Sequence, residues 1–106
     1  MSRERIHAVT VPKWGLSMTE GTVRAWLVEE GAEVEVGDEV LDLETEKAVG
    51  QVEAFGAGVL RRRLVEPGAT LPIGGLLGVI AQADVPEADI DAFVERCRVA
   101  TDTSTT

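Results

Sequence analysis

Up to residue 83 the apolar residues fall in short alternating runs, the period-two pattern of half-buried strands. Thr22 to Val28 carries Val23, Ala25 and Leu27 on one face. Val34 and Val36 then alternate with glutamates, and Val40, Leu41 and Leu43 form the next run. The pattern resumes from Val49 to Glu53, and again at Leu71, Ile73, Leu77, Val79 and Ile80. Glu30-Gly31, Gly37-Asp38, Pro67-Gly68 and Gly74-Gly75 separate the runs as turn signals. Short strands at this spacing predict an all-β sandwich or flattened barrel. After residue 83 the period changes. Asp84-Val85-Pro86-Glu87 predicts a helix start, with a capping aspartate, proline in the first turn and glutamate three residues after the cap. Ile90, Phe93, Val94 and Cys97 follow on one helical face. The helix is expected over residues 84–100, and the polar residues 101–106 as a disordered tail.

The strand pattern is duplicated. Residues 21–37, GTVRAWLVEEGAEVEVG, align with residues 58–74, GVLRRRLVEPGATLPIG, at an offset of 37. Eight of the 17 positions are identical, among them Gly21/Gly58, Arg24/Arg61, Gly31/Gly68 and Gly37/Gly74. Apolar character is kept at Val23/Leu60, Val34/Leu71 and Val36/Ile73. Two copies of one unit predict two similar antiparallel sheets packed face to face about a pseudo-two-fold.

Composition narrows the function. The chain has 106 residues, the size of one domain, and only 4% of them are aromatic, so the core must be aliphatic. A net charge of −9 counts against nucleic acid and anionic membrane surfaces as partners. No apolar run is long enough for a membrane span or a signal peptide, so a cytoplasmic setting is expected. Cys97 is the one cysteine, which excludes an intrachain disulfide and places a packing thiol on the helix face.

Lysine usage is more pointed. Of ten basic residues, eight are Arg and two are Lys, Lys13 and Lys47. Lys47 falls between the run ending at Leu43 and the run starting at Val49, in a hairpin connection where side chains face solvent. Between Glu29 and Glu53 it is the one basic residue among ten acidic ones. Such a face keeps a hairpin soluble and can orient a modifying enzyme or a partner. Lysine, unlike arginine, forms an ordinary side-chain amide with a carboxylic acid.

Glu44-Thr45-Glu46-Lys47-Ala48 resembles the attachment motif of the lipoyl domain family, commonly E-T-D-K-A, with Glu46 in place of aspartate. Val11-Pro12-Lys13-Trp14-Gly15-Leu16-Ser17-Met18-Thr19-Glu20-Gly21 resembles that family's N-terminal signature, with Val11 in place of methionine. The resemblance covers residues 6–81. It implies a flattened β-barrel of two four-stranded sheets, with lipoate in amide linkage to Lys47 and with Glu44, Glu46 and Ala48 as flanking recognition residues. It implies a carrier domain over residues 1–83, monomeric in isolation and without catalytic residues of its own. The arm of lysine and lipoyl chain would reach more than about 10 Å and carry acyl groups and electrons between active sites. Pro12 to Gly21, Gly37 to Asp42, Val59 to Arg62, Thr70 to Pro72 and Pro86 to Phe93 are similar, more narrowly, to the acetyltransferase (E2) component of acetoin-cleaving dehydrogenase complexes. That likeness implies as partners a thiamine-dependent dehydrogenase (E1), a dihydrolipoamide dehydrogenase (E3) and a lipoate ligase or lipoyl transferase. An α/β-hydrolase-like catalytic domain often comes next in that family, and the chain is expected to be either a fragment or a free-standing carrier subunit.

Two other readings compete. A biotin carrier uses an equivalent lysine flanked by methionines, whereas Met1 and Met18 are the only methionines here. An unmodified interaction domain could keep the fold without the chemistry. A stand-alone enzyme fits worst: His7 is the one histidine, and it lacks the companions of a metal site or a catalytic triad. Trp14, Trp26 and Met18 are expected to pack, with Trp14 in a loop near the hairpin.

Overall fold

The computed structural model describes residues 6–15, 18–46 and 48–105, with side chains as far as Cys97. The strands are β1 (Ile6–Thr10), β2 (Glu20–Trp26), β3 (Glu33–Val34), β4 (Glu39–Glu44), β5 (Val49–Glu53), β6 (Gly58–Arg63), β7 (Thr70–Pro72) and β8 (Leu76–Ala81), followed by helix α1 (Glu87–Thr105). They form two four-stranded antiparallel sheets, ordered β1-β8-β6-β3 and β5-β4-β2-β7. The sandwich expected from the repeat is therefore present.

The duplication extends to individual hydrogen bonds. Val23 pairs with Leu43 and Trp26 with Leu41, while Leu60 pairs with Ile80 and Arg63 with Gly78, each at the offset of 37. Gly31 N–H donates to the Leu60 carbonyl at 2.8 Å, and Gly68 N–H donates to the Val23 carbonyl at 2.7 Å. Each copy also lends its short strand to the other: β3 pairs with β6, and β7 pairs with β2. Gly31 and Gly68 both have positive φ, 95° and 98°, in equivalent turns that launch these exchanged strands.

Each long strand carries a β-bulge at the same place, at Arg24 in β2 and Arg61 in β6. A bulge sets two residues against one and reverses the facing of all that follow. The expected inward row of Val23, Ala25 and Leu27 is thus corrected: Val23 is buried, Trp26 packs against the core, and Leu27 is exposed. Val36 is likewise outside, 68% exposed in the turn after the two-residue β3. The core between the sheets is aliphatic, as composition requires, with Val40, Leu41, Leu43, Leu60, Leu77 and Ile80 fully buried. Trp26 is the partly buried aromatic at its edge. Its Nε1–H donates to the Val65 carbonyl at 2.9 Å, and its ring lies over Gly78, where a Cβ would come within 3.0 Å of it.

Helix α1 covers the outer face of the β1-β8-β6-β3 sheet, where Val85, Ile90, Phe93 and Val94 meet Ile6, Val79 and Ala81. The expected cap is corrected in detail. The first carbonyl to accept a helical bond is that of Pro86, at 3.2 Å from the Ile90 nitrogen, and the helix starts at Glu87. The Glu87 carboxylate is held by Arg61 at 2.8 Å and by Arg62, because two charge-assisted bonds outcompete a backbone N–H. Arg61, the bulge residue, also donates to the carbonyls of Gln82 at 2.7 Å and Val85 at 2.9 Å. At the other end the helix runs to Thr105, through residues expected to be a disordered tail. Neither Gly nor Pro interrupts it after Pro86, and each added residue gains one backbone bond once the helix is nucleated.

Arg61→Ala leaves two carbonyls without this donor and is expected to cost about 1–3 kcal/mol, read by thermal unfolding. The Arg61 and Arg62 guanidinium groups hold the Glu87 carboxyl below the ordinary carboxylate range. Its stabilising contribution is therefore complete above that range and is lost as the pH falls through the lowered value. The protection of the Ile90 amide, its exchange rate corrected for the intrinsic rate at each pH, should fall on acidification, less so in high salt where the exposed pair is already screened, and Glu87→Gln should remove that acid limb.

Candidate functional site

β4 and β5 form a hairpin in which Glu44 pairs with Val49, leaving residues 45–48 as the connection. Thr45 closes it. Its N–H donates to the Ala48 carbonyl at 2.7 Å, its hydroxyl donates to the same carbonyl at 3.1 Å, and the hydroxyl oxygen accepts from the Ala48 N–H at 3.1 Å. A side-chain oxygen thus adds two bonds to the backbone bond between Thr45 and Ala48. Further along, Gln51 Nε2 donates to Asp42 Oδ1 at 2.9 Å and ties the two strands on their outer face. Glu44, Glu46 and Ala48, the flanking residues named from sequence, are all exposed and close together on this turn. Lys47, between Glu46 and Ala48 in the chain, lies outside the described residues.

The turn forms one wall of a cleft of about 550 Å³. Glu44, Thr45, Glu46 and Ala48 line it together with Thr22, the strand partner of Glu44, and with Trp14, Gly15, Met18, Thr19 and Glu20. The second wall is a loop anchored at both ends. Val11 N–H donates to the Gly75 carbonyl at 3.1 Å, and Ile73 N–H donates to the Thr19 carbonyl at 3.2 Å. Within the loop, Met18 N–H donates to the Gly15 carbonyl and Trp14 N–H donates to Met18 Sδ at 3.3 Å. The Trp14 ring then crosses to the hairpin and lies over Gly50, where a Cβ would stand 2.9 Å from it. Trp14 is nonetheless 42% exposed and faces the cleft as well as the strand.

Glu20, Glu44 and Glu46 put three carboxylates around this cleft, and among its described lining residues no side chain is cationic. Those three carboxylates by themselves favour a neutral group or a cation over an anion. His7 is far from chemistry: its ring fills the space above Gly56, where a Cβ would approach to 2.3 Å. Cys97 is partly buried on α1, and burial pushes its thiol pKa up, which suits packing.

Sequence reasoning thus found the turn and placed the Trp14 loop near it, and what it missed is the cleft between them. Thr45 belonged to the quoted motif without a role, and its role is the clamp. Trp14 was expected to pack, and it does so on Gly50 while also lining the cleft. A glycine inside a strand, as at Gly50, is the signal that another group approaches closely.

Residues 7–80 match the biotin/lipoyl family profile, described as that of biotin-requiring enzymes. The chain is 55% identical over 92 residues to the dihydrolipoyllysine-residue acetyltransferase component of the acetoin cleaving system of Pseudomonas putida, covering 87% of this chain and 25% of that protein. It is 55% identical over 86 residues to the same component from Cupriavidus necator, covering 81% of this chain and 23% of that protein. The chain therefore spans about a quarter of the length of the curated relatives it matches. Among solved structures, the lipoyl domain of the 2-oxoglutarate dehydrogenase complex from Azotobacter vinelandii aligns with a TM-score of 0.55 and 30% identity, over 71% of this chain and 98% of that one. With an exposed turn closed by Thr45 and a whole lipoyl domain matched end to end, the chain belongs to the lipoyl domains of the biotin/lipoyl family.

Proposed function

We propose that the chain is the lipoyl carrier domain of the E2 component of an acetoin-cleaving dehydrogenase complex, with lipoate in amide linkage to Lys47. The observation that carries this reading is the exposed β4–β5 turn, where the residues on either side of Lys47 are open to solvent while Thr45 clamps the backbone. The 55% identity to two acetoin-system E2 components supports an acetoin-cleaving system as the parent complex.

The residues present fit the group. Attachment needs an accessible lysine on a turn that a ligase can grip, and Glu46 and Ala48 are both exposed. Bound lipoate supplies a strained disulfide that accepts an acyl group and two electrons. The protein supplies the rest. Thr45 holds the turn in one shape, so little order must be imposed when an enzyme docks. Glu44 and Glu46 present fixed negative charge to a lipoate ligase or lipoyl transferase. Ala48 adds no bulk beside the lysine. Tethering keeps the carried group at an effective concentration of order mM near the E1 and E3 active sites. The domain acts in the cytoplasm as a monomer, with catalysis left to its partners. Among the described residues no helix is long and apolar enough to cross a membrane.

Co-expression with a lipoate ligase should add one lipoyl increment to the intact mass, and Lys47→Arg should abolish it. A biotin increment, or an unmodified Lys47 in native material, would overturn the reading. Thr45→Val removes the two hydroxyl bonds to Ala48 and should cost about 1–2 kcal/mol locally. Amide exchange at Ala48 should accelerate, and kcat/KM for lipoylation should fall by up to about tenfold while the melting of the sandwich stays near that of the wild type.

A further inference from the structure

The cleft beside the hairpin is larger than the turn itself requires, and nothing in the carrier role assigns it an occupant. Its volume of about 550 Å³ lies in the range of small-molecule sites. Its walls offer an indole face at Trp14, a thioether at Met18 and a methyl at Ala48, with carboxylates of Glu20, Glu44 and Glu46 around them. That lining suits a neutral, polarizable ring better than phosphate or carboxylate. Sulfur against an aromatic face is a favourable contact. The two residues adjoining the attachment position, Glu46 and Ala48, are themselves part of the wall.

We propose that this cleft is a resting site for the oxidised lipoyl ring of the same chain, with the dithiolane against Trp14 and Met18 between visits to partner enzymes. The proposal rests on lipoate being carried at Lys47. The tether decides its plausibility: at an effective concentration of order mM, a site with a dissociation constant of about 1 mM is already half occupied. Weak docking of this kind leaves the arm free to exchange, because a partner site of higher affinity competes it away. It also removes a reactive disulfide from solvent while the domain is idle.

The test uses 15N-labelled wild-type protein in lipoylated and unlipoylated forms, each verified by intact mass. Docking predicts shifts at the Trp14 indole and at the Met18 and Thr19 amides, on the loop remote in sequence from Lys47. In a Trp26→Phe background, where Trp14 is the sole indole, contact with the disulfide should quench emission by about twofold for a half-docked arm. Shifts confined to residues 44–50, with unchanged Trp14 emission, would overturn the proposal. So would Trp14 shifts that scale with protein concentration, since the occupant would then be a second copy. If Trp26→Phe fails to fold, the indole and amide shifts of the wild type decide alone. Absence of the lipoyl increment in the mass instead counts against the carrier reading, so the two failures are distinguishable.

Discussion

The exchange of short strands between the two copies of the repeat is the constraint on which the rest depends. Gly31 and Gly68 place their N–H groups on the Leu60 and Val23 carbonyls, and β3 and β7 thereby complete the sheet of the opposite copy. Neither copy can close its own sheet, so the two halves fold as one body. The duplicated bulges at Arg24 and Arg61 then turn Trp26 and Arg63 toward equivalent positions and fix which faces meet. An aliphatic core follows from this geometry, since facing rows of Val, Leu and Ile fill the narrow space between sheets without polar atoms to satisfy.

Inside, the halves are alike; outside, they have diverged. Val79 and Ala81 on the helix-covered face correspond at the offset of 37 to Asp42 and Glu44 on the open face. One outer face thus became apolar and took α1 as a cover, stapled by Arg61 and Arg62. The other became acidic and carries the hairpin. Glu39 opposite Glu53 on β4 and β5 sets like charges across a strand pair, an arrangement that costs stability and gains solubility and negative field.

What was legible in the sequence follows the same division. The offset of 37 exposed the sheets, the turns and the hairpin, because inward residues and turn glycines are kept in both copies. The kinship of β1 and β5 was not legible. They correspond at a different offset, 43, and Val9/Val52 is their one identical strand pair. The bulges were illegible too, since an inserted residue leaves apolar residues on either parity, and Leu27 was read inward for that reason. The helix starts at Glu87, later than the local pattern has it, and Glu87 is bound by arginines 25 or more residues away. Local patterns cannot report a distant competitor.

The site shows the same limit and explains why a turn motif is an incomplete description of a carrier. Glu44 to Ala48 is contiguous and readable, whereas Trp14 reaches the hairpin only because Val11 and Thr19 are pinned to the β7–β8 turn. That pinning brings an aromatic face against Gly50, and a side chain at Gly50 would push the ring away. The loop and the hairpin therefore constrain one another: the ring supports the strand that leaves the turn, and the strand keeps the ring half exposed at the cleft. A flexible arm attached to such a turn starts from a fixed base, so its reach is set by its own bonds and not by motion of the domain beneath it.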